Sequence, residues 1–325
     1  MNAADPTARA LLERLFDYAG LFPPAGLGMN ESVRNYLRYR AGPQAWMLGR
    51  LVIPWRRRQE FLDALTGARM ADMDGADLAD GADPADGPVP VTLLVPLPDG
   101  SDARDAFRKQ HTEFMADGAG RVEVGALEAR CDGAAALDQL SDTFDLFVEV
   151  FPEAEIHVEA TESCEVESLL DALVRERRRI GRGAGKLRTG SVVPDEIPPA
   201  DVVVRFIRAC ADRDLPWKAT AGLHHPLPAT RALTYEPDSP RGPMYGYIGV
   251  LLAAARSMDD PGATPTQLLT LVTDPDLPDL DGFTETSIRA ARTEGCLSIG
   301  ACSFVEPVEG AESLGLLSHS NASSR

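Results

Sequence analysis

Short apolar runs of strand length alternate with amphipathic stretches of helix length along most of this 325-residue chain, and that alternation limits the fold more than any other feature. Strand-like runs stand at 46–54, 89–97, 121–130 and 145–151, then around Lys186 to Gly190 and Pro216 to Gly222. Helix-like stretches at 57–65, 102–115, 134–143, 166–180 and 199–213 separate them. Residues 267–273 read as either a short strand or more helix, and the run from Cys296 to Pro307 is strand-like again. Strands that alternate with helices pair in parallel, because each crossover helix returns the chain to the same edge. The expected fold is therefore α/β, a single (β/α)8 barrel of the TIM type, regular or irregular, over residues 46–317. Two extra helices precede it in an N-terminal extension, 1–45, packed on the barrel. A doubly wound sheet is disfavoured, since no G-x-G-x-x-G follows the first strand.

Two segments interrupt the pattern. Residues 71–88 are mostly Ala, Asp, Gly and Pro with no Lys or Arg, too little apolar content to offset ordering, so a mobile acidic insertion is expected there. Residues 318–325 read as a disordered tail. In the N-terminal extension, Asp17 to Pro24 is too apolar for a solvated connector and reads equally well as a plug or a pocket wall.

In a barrel the chemistry sits where strands end, so charge placed there is the next thing to read. Lys186 and Arg188 alternate on one expected strand face, and Lys218 and Thr220 on another. Buried charge of this kind costs free energy unless it is paired or used. By strand count the two lysines fall on the fifth and sixth strands. Glu149, embedded in the near-continuous apolar run 145–151, reads as a carboxylate on a buried strand and a proton-transfer candidate. His224-His225-Pro226 follows the second lysine motif, offering a general acid/base or metal ligand at His224, with Glu149 or Glu128 as oxygen ligands in the metal case. Thr189, Gly190, Thr220, Gly222, His225 and Arg50 complete the candidate substrate contacts. Cys302, in Cys302-Ser303-Phe304-Val305-Glu306-Pro307, reads as a buried thiol or a nucleophile without a G-x-S-x-G elbow.

Lys186-Leu187-Arg188-Thr189-Gly190 and Lys218-Ala219-Thr220-Ala221-Gly222 resemble the two lysine motifs of the deoxyribose-phosphate aldolase family, roughly K-T-S-T-G and K-A-S-G-G. The resemblance implies a Schiff base on Lys186 with Lys218 as its cationic neighbour. Arg188 and the His-His-Pro that follows depart from the family pattern. The same lysine and arginine pair also suits simple anion binding.

The formal net charge of −18 repels nucleic acid and anionic membrane surfaces, so neither is an expected partner. A cationic cluster in so acidic a chain points to a small anionic substrate, with a homo-oligomer left open. The expected function is a lyase of the aldolase kind acting on a small anionic carbonyl compound, with no cofactor and no metal. The alternatives are a metal- or histidine-dependent barrel lyase or isomerase using His224 and Glu149, and a non-catalytic binder of an anionic metabolite or a protein. Five scattered cysteines without a CxxC pair read as reduced thiols, and the opening MNAADPTARALLERLF lacks signal-peptide features, so a cytoplasmic protein is expected.

Overall fold

The computed structural model describes residues 6–74, 87–276 and 282–317. Eight parallel strands close into a barrel: β1 (Phe16–Tyr18), β2 (Leu48–Pro54), β3 (Val89–Leu94), β4 (Val122–Cys131), β5 (Glu155–Ala160), β6 (Ala184–Arg188), β7 (Trp217–Thr220) and, after a separate two-stranded hairpin of β8 (Ala229–Ala232) and β9 (Arg241–Met244), β10 (Cys296–Ala301). Around the ring the order runs β1, β10, β7, β6, β5, β4, β3, β2. This is the expected (β/α)8 class. Among the described residues no helix is long and apolar enough to cross a membrane.

Three expectations change. The first barrel strand is Phe16–Tyr18, so part of the anticipated plug is wall; a fully buried run of three is too short for its alternation to be legible. The run 145–151 is not a strand but lies in the helix Leu140–Val150, with Phe151 just beyond it; the strand is the following Glu155–Ala160. The helix buries Leu140, Thr143, Phe144 and Phe147, an i, i+3, i+4, i+7 set, with Leu146 beside them, which resembles a continuous apolar run in a short window. Of the two readings left open for 267–273, helix is the one found: Pro265–Thr273 is helical, opened by a reciprocal Thr264–Gln267 capping box with Pro265 in its first turn. With β1 counted, Lys186 and Lys218 stand on the sixth and seventh barrel strands rather than the fifth and sixth. Of the expected insertion 71–88, the start is helical, since Arg58–Asp74 runs to its end; residues 75–86, like the expected tail 318–325, lie outside the described residues.

The chain forms two compact units, one of Asp17–Lys186 and one of the described residues up to Phe16 and from Leu187 onward. In the first, Trp55 collects Phe107, Phe114 and Phe151 at ring-centroid distances of 4.9, 5.6 and 6.3 Å, an aromatic seam between strand and helix layers. In the second, Trp217 stacks edge-on to Phe206 of the helix Ala200–Ala211 at 5.8 Å, which turns Trp217 outward and its neighbour Lys218 to the barrel interior.

Candidate active site

The second unit holds a cysteine, a histidine and a glutamate in series. β7 and β10 are adjacent and parallel, with Thr220 opposite Gly300, so the segments that follow them leave at the same end. After β7 the backbone turns through Ala221 and Gly222, both left-handed at φ 62° and 78°. Gly222 also has Gly190 against it, where a Cβ would lie 2.8 Å from the Gly190 Cα. Thr189 fixes this turn: its N–H donates to the Thr220 carbonyl at 2.9 Å and its hydroxyl to the Ala221 carbonyl at 2.5 Å. Beyond it His225 is tied down by its carbonyl, which accepts from Tyr247 N–H at 3.0 Å. After β10 comes Cys302, then the helix Val305–Ser313 with Glu306 in its first turn. The Tyr247 hydroxyl donates to the Pro307 carbonyl at 3.1 Å and so holds both segments to one helix end.

His224 Nδ1 lies 2.9 Å from Glu306 Oε2, and its Nε2 lies 3.8 Å from Cys302 Sγ. The other Glu306 oxygen accepts from the Tyr235 hydroxyl at 3.3 Å, and that hydroxyl is 3.9 Å from Cys302 Sγ. His224 and Cys302 are each 5% exposed, whereas the Tyr235 ring, on the turn between β8 and β9, is largely exposed. Burial lowers the His224 pKa, but its bonds to Cys302 and Glu306 outweigh burial and hold it up at about 10. Glu306 is raised by burial and lowered more by His224, staying below the ordinary carboxylate value. The next residue, His225, is shifted the other way: burial, Arg231 and His224 outweigh Glu306 and bring it down to about 4.

Lys186 belongs to the first unit's interior. Its Nζ stands 2.9 Å from Glu128 Oε2 and 2.8 Å from Glu159 Oε2, all three side chains at most 6% exposed. Glu159 is opposite Lys186 on β5, and Glu128 opposite His157 on β4 and β5, so these groups share the interior face. Held between these two carboxylates, the Lys186 amine is an ion-pair partner in this interior. Lys218, 1% exposed, bears on Cys296, whose thiol burial raises to about 11 against the opposing charges of Arg292 and Lys218. Arg188 is exposed at the end of β6.

Other candidates have different roles. Glu149 is a correction: it projects from the outer face of the helix Leu140–Val150, 53% exposed, and Arg108 grips it with two bonds of 2.8 Å. It is a solvent-facing ion-pair partner because the residues around it are helical, not extended. Arg50 lies four residues before the level of Glu128, which is aligned with Leu94 and Pro54, and so toward the other end of the strands. A Cβ on Gly125 would meet the Arg50 Nε at 2.4 Å, so the glycine makes room for it. Thr189, Gly190 and Gly222 join the two turns, as described, and Thr220 supports them through its carbonyl. Among the described residues no three His, Cys, Asp or Glu side chains are grouped to hold a metal ion. Sequence reasoning named His224 and weighed Cys302, carried Glu306 only within the run Cys302 to Pro307, and did not name Tyr235; the one available signal was Cys302 and Glu306 four apart, directly after a strand.

No family model matches the chain, and no curated protein matches it. Among solved structures, the apo homocysteine methyltransferase MmuM from Escherichia coli is 16% identical with a TM-score of 0.36, over 66% of this chain and 85% of that one. A lead(II) complex of Haloferax volcanii malate synthase is 13% identical with a TM-score of 0.41, over 83% and 74%. A GH10 endoxylanase from a sugarcane soil metagenome is 12% identical with a TM-score of 0.39, over 82% and 84%. Likenesses this distant carry no argument about activity.

Proposed function

We propose that this chain is an enzyme of covalent thiol catalysis, acting on a small carbonyl compound through Cys302, with His224 as proton carrier and Glu306 as the group that orients it. The observation that carries the reading is the line from Glu306 through Nδ1 and Nε2 of His224 to the sulfur, at 2.9 and 3.8 Å, beyond the ends of adjacent strands. The carboxylate accepts the Nδ1 proton and aims Nε2 at the thiol. The thiol proton already sits on Nε2 in the imidazolium that the site stabilises, so as Sγ bonds to the carbonyl carbon the carbonyl π pair moves to oxygen. Collapse of the adduct expels the leaving group, which takes that proton, and water later releases the acyl group from sulfur. The raised pKa of His224 supports the charged half of this cycle, since an imidazolium beside Glu306 is the form the site stabilises. No comparable geometry supports a Schiff base: Lys186 has two buried carboxylates against it.

The test is the rate of alkylation of each cysteine by iodoacetamide, followed by peptide mass mapping. Cys302 is expected to react at least tenfold faster in the intact chain than in His224→Asn, with Glu306→Gln in between. Equal rates in all three proteins would remove the thiol reading.

A further inference from the structure

A cavity of about 340 Å³ opens beside this centre, between His225, Leu227 and Arg231 on one side and Glu306, Glu309 and Leu314 on the other. Its volume is at the small end for ligand sites, room for a compound of a few carbons. It touches the reactive line directly, because the Glu306 that holds His224 also lines the cavity. Arg231, on β8, lines the cavity, and its buried Nε has no hydrogen-bond partner among the described residues. Buried donors are normally satisfied, and this chain carries 50 acidic residues, so a guanidinium that lines a cavity with one nitrogen still unmatched has donor capacity for an acceptor from outside. The two nearby carboxylates do not take up that capacity. Glu306 has one oxygen on His224 and the other on the Tyr235 hydroxyl, and Glu309 is exposed.

We propose that the cavity receives a carboxylate of the substrate, gripped by the Arg231 guanidinium, so that the compound attacked by Cys302 is a small acyl compound that bears a carboxylate beside its leaving group. The inference rests on the thiol reading and names its substrate class. A planar fork matches a carboxylate with two parallel N–H···O bonds, and His225 adds a neutral ring near pH 7 rather than a second charge. Apolar contact with Leu227 and Leu314 suits the short carbon skeleton between the carboxylate and the carbonyl.

Iodoacetate and iodoacetamide differ by a carboxylate, so the ratio of their rate constants at Cys302 reads the cavity. That ratio is expected to fall ten- to a hundredfold in Arg231→Met, the usual range for losing a charged hydrogen-bond pair, with Arg231→Lys between methionine and the native chain. An unchanged ratio in Arg231→Met overturns the proposal, as does a lysine variant no better than methionine. Acetate binding to Cys302→Ser, followed by saturation-transfer NMR, judges the cavity without the sulfur: binding is expected there and its loss in Cys302→Ser/Arg231→Met. Should iodoacetamide prove no faster at Cys302 than in His224→Asn while acetate still binds through Arg231, the thiol reading fails and the carboxylate site stands. Acetate bound equally with and without Arg231 rejects the site itself.

Discussion

Two adjacent histidines with pKa values moved in opposite directions give this chain a pH dependence with a sign on each side. His224 is raised to about 10 in the folded chain from an ordinary value of about 6.5, so the native state holds its proton where the unfolded chain has lost it. Its contribution is complete below about pH 6.5 and disappears as pH rises through 10. His225 is lowered to about 4, so the folded chain stays neutral where the unfolded one takes up a proton, and that contribution, complete above 6.5, is lost as pH falls through 4. Thermal unfolding across pH 4 to 10 should therefore show a maximum near 6.5. His224→Gln should flatten the alkaline limb and His225→Asn the acid limb; a limb that keeps its full slope in the matching variant assigns it to other groups. The sequence placed the two rings side by side without a sign of either shift, because the His224 shift comes from Cys302 and Glu306, some eighty residues on, and the His225 shift comes first from burial and then from Arg231 on the following hairpin.

Among elements, the turns after β6 and β7 carry more of the site than the strands do. Gly222 combines a φ of 78° with contact against Gly190, so Gly222→Ala meets both backbone strain and a close steric approach. A loss of about 1–3 kcal/mol is expected, read from the urea midpoint, while Gly300→Ala, facing only a hydroxyl at 3.0 Å, should cost less. The lysine motifs were legible as strand ends because alternation and a closing glycine survive in a short window. Their chemistry was not, since what decides the role of Lys186 is two glutamates on β4 and β5 that no local pattern ties to it. Glu149 misled for the opposite reason: an apolar run of seven residues fits both periods, and only the aromatic seam inside decides for helix. A second pair of elements is set for cross-linking. Cys131, ending β4, and Cys164, just past β5, have their sulfurs 3.4 Å apart in a buried contact. Oxidised glutathione should convert the two thiols to one disulfide, releasing two equivalents of glutathione, and tryptic mass mapping should find the Cys131–Cys164 peptide. Recovery of both thiols unmodified after that treatment would refute this expectation.

At the scale of the whole molecule, the second unit is assembled from the two far ends of the described chain. Arg292 donates to the Leu11 carbonyl at 2.9 Å and to the Glu13 carbonyl at 3.2 Å, and the Ile299 N–H donates to the Leu15 carbonyl at 2.7 Å. Arg292→Met should free three carbonyls, those of Leu11, Glu13 and Cys296, at a cost of about 2–4 kcal/mol; denaturant unfolding checks it, and a cost within 0.5 kcal/mol would show that water replaces the guanidinium. Arg292 comes 281 residues after Leu11, and a ribosome adding about 5–20 residues per second needs roughly a quarter of a minute to a minute to travel that far. Throughout that interval the first segment is outside the ribosome with its apolar face of Leu11, Leu12, Leu15 and Phe16 uncovered. The native partners of that segment are therefore made last, and in the living cell its solubility during synthesis depends on whatever shields it until then.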